Sequence, residues 1–316
     1  MKNKRILKKI LITIICLFFT ITVLVFIPPA VIIGLVTDRV DYNSSDADGR
    51  FYQASEFNIV SQDMMLKTDD DIEIFVSEVS CEKPRGVVIF LSGIRGPSVT
   101  CLYPQAKWLT EHNYSSFLIE LRGHGKSNGN ISLGCKETND VRAVVDYINT
   151  KHIYDGIPIT VIGFSMGGAV AINSIGSIKD IDGVIALSAY SSFEDVASDQ
   201  ILRCFGPKWL SKAANYSTKI WMNIFFGDDG IEMSPKEKIK KTDDKKVFLI
   251  AAQNDATVPS ESIIRLAAAS CGDTEIWIRN SSNHFIIENN DFLNFEDDEL
   301  YCEKILCFLN SVENNN

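Results

Sequence analysis

Ile159-Thr160-Val161-Ile162-Gly163-Phe164-Ser165-Met166-Gly167-Gly168-Ala169-Val170-Ala171-Ile172 decides how this chain is read. A β-branched run breaks at a glycine, presents one serine, meets two more glycines and continues as an alanine-rich helical pattern. Strand, sharp turn and helix are the context that a G-x-S-x-G nucleophile elbow requires. Such a turn projects the serine hydroxyl from the strand end, beside the unpaired N–H groups and positive dipole end of the next helix. Ser165 is therefore the candidate nucleophile.

A serine hydroxyl is a weak nucleophile without a base. Where this elbow occurs, the triad follows the chain order serine, acid, histidine. Of the four histidines, His112, His124 and His152 precede Ser165, which leaves His284. It lies in the polar turn Asn280-Ser-Ser-Asn-His284, directly after the strand-like Glu275-Ile-Trp-Ile-Arg279. The acid should also follow a strand, and Val247-Phe-Leu-Ile-Ala-Ala252 is succeeded by Gln253-Asn254-Asp255. Asp255 is thus the expected orienting carboxylate, with Asp195, after the preceding strand, as the next candidate. His124, in a glycine-rich turn, reads as a structural residue near the same sheet edge.

With these residues in place the chain resembles the α/β-hydrolases. Its closest likeness is to membrane-anchored bacterial serine hydrolases of the Bem46 and prolyl-oligopeptidase-like branch. The resemblance runs from about Phe57 to the C-terminus. It includes Arg122-Gly123-His124-Gly125-Lys126-Ser127, similar to the family's R-G-x-G-x-S turn. Glu137 and Asp140 resemble its E-x-x-D helix start, and Asp255-Ala-Thr-Val-Pro259 its D-x-x-V-P turn. Two positions depart from the pattern: Ser92-Gly93 stands where His-Gly is usual, and Ala252 where a glycine is common. Gly93 still permits the loop to turn, so the resemblance implies an oxyanion hole from the Ile94 and Met166 amides.

The expected fold is α/β: a mostly parallel eight-stranded sheet covered by helices on both faces. Strands are predicted near 57–60, 72–79, 87–91, 116–121, 159–163, 183–187, 247–252 and 275–279, with the opening pair antiparallel. The insertion at about 190–245 reads as a small helical cap, which the resemblance places over the serine. Trp209, Tyr216, Trp221, Met222, Phe225 and Phe226 in it favour an apolar acyl or aromatic substrate group, although packing against the sheet edge explains them equally well.

Residues 1–9 form a basic tip, and Ile10–Val36 is almost wholly apolar, interrupted by Pro28-Pro29. That run exceeds the roughly 20 residues needed to cross a bilayer and the about 7–15 of a cleavable signal core. It predicts one uncleaved transmembrane helix, a linker over 37–50 and a hydrolase domain over 51–316. The basic tip places the N-terminus in the cytoplasm and the domain outside.

Formal net charge is −10, and without the five basic residues of the tip the remainder carries about −15. Such a surface argues against nucleic acid, which needs clustered Lys and Arg. No metal-ligand spacing or phosphate-binding glycine loop appears, so no metal and no cofactor is expected. Of eight cysteines, seven lie beyond the apolar run, and most read as small buried apolar residues, with one disulfide as the second reading.

The expected chemistry is cleavage of a carboxylic ester, from a small-molecule or lipid-like acyl substrate, through an acyl-enzyme. A peptidase or an envelope acyltransferase uses the same first half-reaction. A catalytically silent, membrane-tethered binding module is the alternative of a different class.

Overall fold

The computed structural model describes residues 2–42 and 50–314, apart from the side chains at 2–5, 17, 18, 21 and 231. Most of the expected linker, at 43–49, therefore lies outside the described residues, as do residues 315–316 and the basic side chains at 2, 4 and 5.

Among the described residues eight strands form one sheet: β1 (Gln62–Lys67), β2 (Glu73–Val79), β3 (Gly86–Leu91), β4 (Tyr114–Ile119), β5 (Ile159–Phe164), β6 (Gly183–Leu187), β7 (Lys246–Ala252) and β8 (Asp273–Arg279). Their order is β1-β2-β4-β3-β5-β6-β7-β8. Only β2 runs against its neighbours, pairing antiparallel with both β1 and β4; every later pairing is parallel. The central strands are wholly buried, as expected where helices cover both faces. They read as continuous apolar runs for that reason.

The first strand differs from expectation. Residues Ala54–Phe57 make a single 3₁₀ turn that Asn58 ends in the left-handed region at φ 56°. The edge strand starts only at Gln62, and its half-exposed, polar face left little hydrophobic signal.

Among the described residues ten α-helices complete the fold: α1 (Lys2–Val36), α2 (Tyr103–Glu111), α3 (Thr138–Asn149), α4 (Met166–Ile175), α5 (Phe193–Phe205), α6 (Lys208–Phe226), α7 (Asp229–Glu232), α8 (Pro235–Lys238), α9 (Glu261–Ala269) and α10 (Glu299–Glu313). Helix α4 is buried along its whole length beneath the sheet centre. Helices α5 to α8 all derive from the insertion between β6 and β7.

The N-terminal segment departs from a simple anchor. Helix α1 is continuous through Pro28 and Pro29, yet no helix among the described residues is long and apolar enough to cross a membrane. The expected transmembrane span is therefore not supported. Its C-terminal half packs on protein instead: Ile33 is fully buried, Trp221 Nε1 of α6 donates to Phe26 O at 2.7 Å, and Arg95 donates to Leu35 O. Beyond the helix the chain does not trail free. Val40 N donates to Gly123 O at 2.8 Å and Gly125 N to Val40 O at 3.0 Å, while Tyr42 is buried in the main core.

The cysteines also differ. Cys101 and Cys135 are buried, but Cys16, Cys204, Cys271 and Cys307 are exposed, and no disulfide forms among the described residues. Exposed helix and loop faces accommodate them, so burial was the wrong expectation for most.

Candidate active site

The elbow forms because two glycines allow backbones to touch. A Cβ on Gly163 would stand 2.1 Å from Gly167 O, and one on Gly167 would stand 2.4 Å from Ser92 O. Neither glycine needs a left-handed backbone; close approach is what excludes a side chain. The strain sits on Ser165 itself, at φ 55° and ψ −117°, a conformation that costs a β-carbon-bearing residue on the order of 1–3 kcal/mol. The first turn of α4 and the Ser165 N to Leu187 O bond, 2.8 Å, hold it there.

His284 and Asp255, the expected base and acid, lie in contact. His284 Nδ1 lies 2.7 Å from Asp255 Oδ2. Asp255 Oδ1 accepts from Thr257 N at 2.7 Å and Val258 N at 3.1 Å, so both carboxylate oxygens are occupied. The Asp255 side chain is fully buried, whereas that of His284 is 18% exposed. A carboxylate only accepts, so Nδ1 must carry the proton and Nε2 keeps its lone pair.

Ser165 comes to the same place through the end of β6. Its amide is bonded to Leu187 O, and the next residue, Ser188, donates its hydroxyl to His284 O. Phe285 and the Ser165 Cβ both lie within 4 Å of the Cβ position of Gly93. Among the described residues no hydrogen bond joins Ser165 Oγ to His284; such bonds are commonly loose before substrate arrives. Ser188, held at φ 50°, is a contact of His284 that the sequence did not disclose, since nothing distinguishes it from any serine after a strand.

Ile94 follows Gly93 in the loop after β3, and Met166 is the first residue of α4. The loop lacks the histidine usual at position 92, and a buried polar cluster lies behind it. Ser98 Oγ bonds Glu120 and lies 2.7 Å from Thr100 Oγ1. The Tyr42 and Ser92 hydroxyls and Glu120 Oε2 are buried without a hydrogen-bond partner. Burial pushes the Glu120 carboxyl up to about 7, against the lowering effect of the Ser98 hydrogen bond.

The other motif residues are structural. Arg122 is buried and bonds Asp140 at 2.7 Å and Asp70 at 2.6 Å, and its guanidinium holds the Asp70 carboxyl well below the usual carboxylate range. Glu137 accepts from Ser132 N, Ser132 Oγ and Gly134 N, which folds the loop ahead of α3. His124 is fully buried, with Nδ1 3.1 Å from Arg122 O. Burial drives its pKa down. Asp195 does not reach His284; it binds Ser191 Oγ, Asn215 and Lys236 at the start of α5. Among the described residues no cluster of His, Cys, Asp or Glu could hold a metal ion.

A family model described as serine aminopeptidase, S33, matches residues 82–287, well over half of the chain. The chain belongs to that hydrolase family. Within the wider α/β-hydrolase superfamily the S33 member resembles protein bem46 of Schizosaccharomyces pombe. The two are 25% identical over 224 residues, which is 70% of this chain and 69% of bem46. An esterase of Pyrococcus furiosus superposes with a TM-score of 0.64 at 21% identity, covering 84% of this chain and 98% of the esterase. An esterase of Exiguobacterium antarcticum gives 0.53 at 16% identity, covering 77% and 100%. At these identities the two structures show the α/β-hydrolase fold alone.

Proposed function

We propose that this S33 hydrolase cleaves carboxylic esters through Ser165, His284 and Asp255. The observation that carries the reading is the buried, fully bonded Asp255 carboxylate on His284 Nδ1, with the base beside the elbow. His284 Nε2 takes the Ser165 proton as Oγ attacks the acyl carbon. The Ile94 and Met166 amides hold the oxyanion, the alcohol leaves with the proton from His284, and water then releases the acid by the same steps reversed. Two solved esterases share the fold, which is the ground for testing an ester first. The family's aminopeptidase description supports a second reading, in which the leaving group is an amine.

A fluorophosphonate probe tests the activated serine, and p-nitrophenyl butyrate against alanine p-nitroanilide tests the bond. Labelling lost in Ser165→Ala, with turnover of the butyrate, is the expected result. Preferred anilide cleavage would establish the peptidase. No labelling of folded protein would leave a binding module.

Membrane association through α1 belongs to the same reading. Leu7, Leu11, Phe19, Leu24 and Leu35 expose apolar side chains along it, a surface suited to lie against lipid. Retention of the full chain in the membrane fraction is the expected outcome.

A further inference from the structure

A cavity lies not over Ser165 but between α1 and the cap. It encloses about 670 Å³ and is walled by Pro28 and Ile32 of α1, Val196 and Ile201 of α5, and Trp209 and Leu210 around the start of α6. That size falls within the roughly 300–1,000 Å³ of ordinary ligand sites. Of the described residues around it only Gln200 and Thr218 are polar. The Gln200 amide is committed to Ala256 O and Thr257 O, at 2.8 and 2.9 Å. Thr218 contributes one buried hydroxyl without a partner. A sugar, nucleotide or peptide would lose its hydrogen bonds to water here and recover almost none.

The cavity is tied to the candidate site. Gln200 and Arg203 of α5 fasten that helix to the backbone of residues 255–257, the turn that presents Asp255. Phe193, which also lines the cavity, starts α5 five residues after Ser188. Outside, the rim continues as exposed apolar surface: Phe205 is 66% and Trp209 61% exposed on the cap, beside Leu24 at 66% on α1. Apolar surface running from a rim into a dry interior admits a hydrocarbon chain without crossing water.

We propose that this cavity binds the long acyl chain of a lipid ester, so that α1 is one wall of the substrate site rather than a tether alone. This rests on the ester-hydrolase reading for catalysis, but the binding step does not. In the full chain, Ala197→Trp places an indole in the cavity. The ratio of kcat/KM for p-nitrophenyl palmitate to that for the acetate should fall about tenfold or more, as expected when a hydrophobic pocket loses room for methylenes. Val196→Ala, which widens the cavity, should move the chain-length optimum upward and serves if the tryptophan variant fails to fold. Binding is measured separately in Ser165→Ala by cis-parinaric acid fluorescence, displaced by oleate. Displaceable binding that Ala197→Trp removes supports the site even if no ester is turned over, in which case only the hydrolase reading fails. Chain-length preference and cis-parinarate binding that neither cavity variant alters would overturn the proposal.

Discussion

Replacing Asp255 by asparagine puts the proposed division of labour to its sharpest test. The side chain is isosteric, so the change is in who donates. Oδ1 accepts from the Thr257 and Val258 amides and Oδ2 faces His284 Nδ1. If the asparagine carbonyl keeps the two amides, its NH₂ points at Nδ1. The imidazole must then protonate on Nε2, and the lone pair that accepts the Ser165 proton is gone. Flipping the amide restores the useful tautomer but sets NH₂ against two N–H donors, that of Val258 buried and that of Thr257 half-buried. Leaving the buried one unsatisfied costs about 1–3 kcal/mol and the other less, so the inactive orientation should dominate by about 2–4 kcal/mol. Turnover of p-nitrophenyl butyrate should therefore drop by up to roughly 10³, equivalent to about 4 kcal/mol of transition-state stabilisation. Melting and circular dichroism should show a folded protein. Activity within tenfold of the parent in such a protein would refute the argument, and the orienting carboxylate would have to be sought elsewhere.

Gly167→Ala should be poorly tolerated, since its Cβ would meet Ser92 O at 2.4 Å and Leu91 O at 2.6 Å; a loss of more than about 2 kcal/mol, read as a fall in denaturation midpoint, is expected. Glu120 has its folded pKa raised to about 7 by burial, partly offset by the Ser98 hydrogen bond. The folded state therefore binds the proton more tightly, and its contribution is present at acid pH and lost as pH rises through 7. Glu120→Gln should raise the melting temperature at pH 8 more than at pH 5, and an equal effect at both would contradict the assignment. Trp221→Phe removes the bond to Phe26 O and should cost about 1 kcal/mol of local stability, visible as faster amide exchange over residues 24–36.

Much of the site could be read because it is local. Strand, glycine and serine lie within ten residues of one another, and Asp255 and His284 each follow a strand whose apolar run is unmistakable. What could not be read depends on distant partners. Ser188 touches His284 only because β6 ends beside it, and Gly93 comes close to Ser165 only through the loop after β3. The glycines announce a sharp turn, but not that Ser165 itself bears the strain at φ 55°. The edge strand β1 was misplaced because its polar residues alternate too weakly to announce it. The apolar N-terminus looked like a span on composition alone, while its docking surface on α6 comes from the other half of the chain.

That docking surface has a consequence for how the protein is made. Phe26 and Trp221 are 195 residues apart, and a ribosome adding about 5–20 residues per second separates them by roughly 10–40 s. Throughout that interval α1 is complete and has no cap to cover it. Newly made chains must keep this helix from other apolar surfaces until the second half emerges, whether by early transfer into lipid or by a chaperone. Synthesis slowed after α1 should thus raise the aggregated fraction far more than an equal delay after α6.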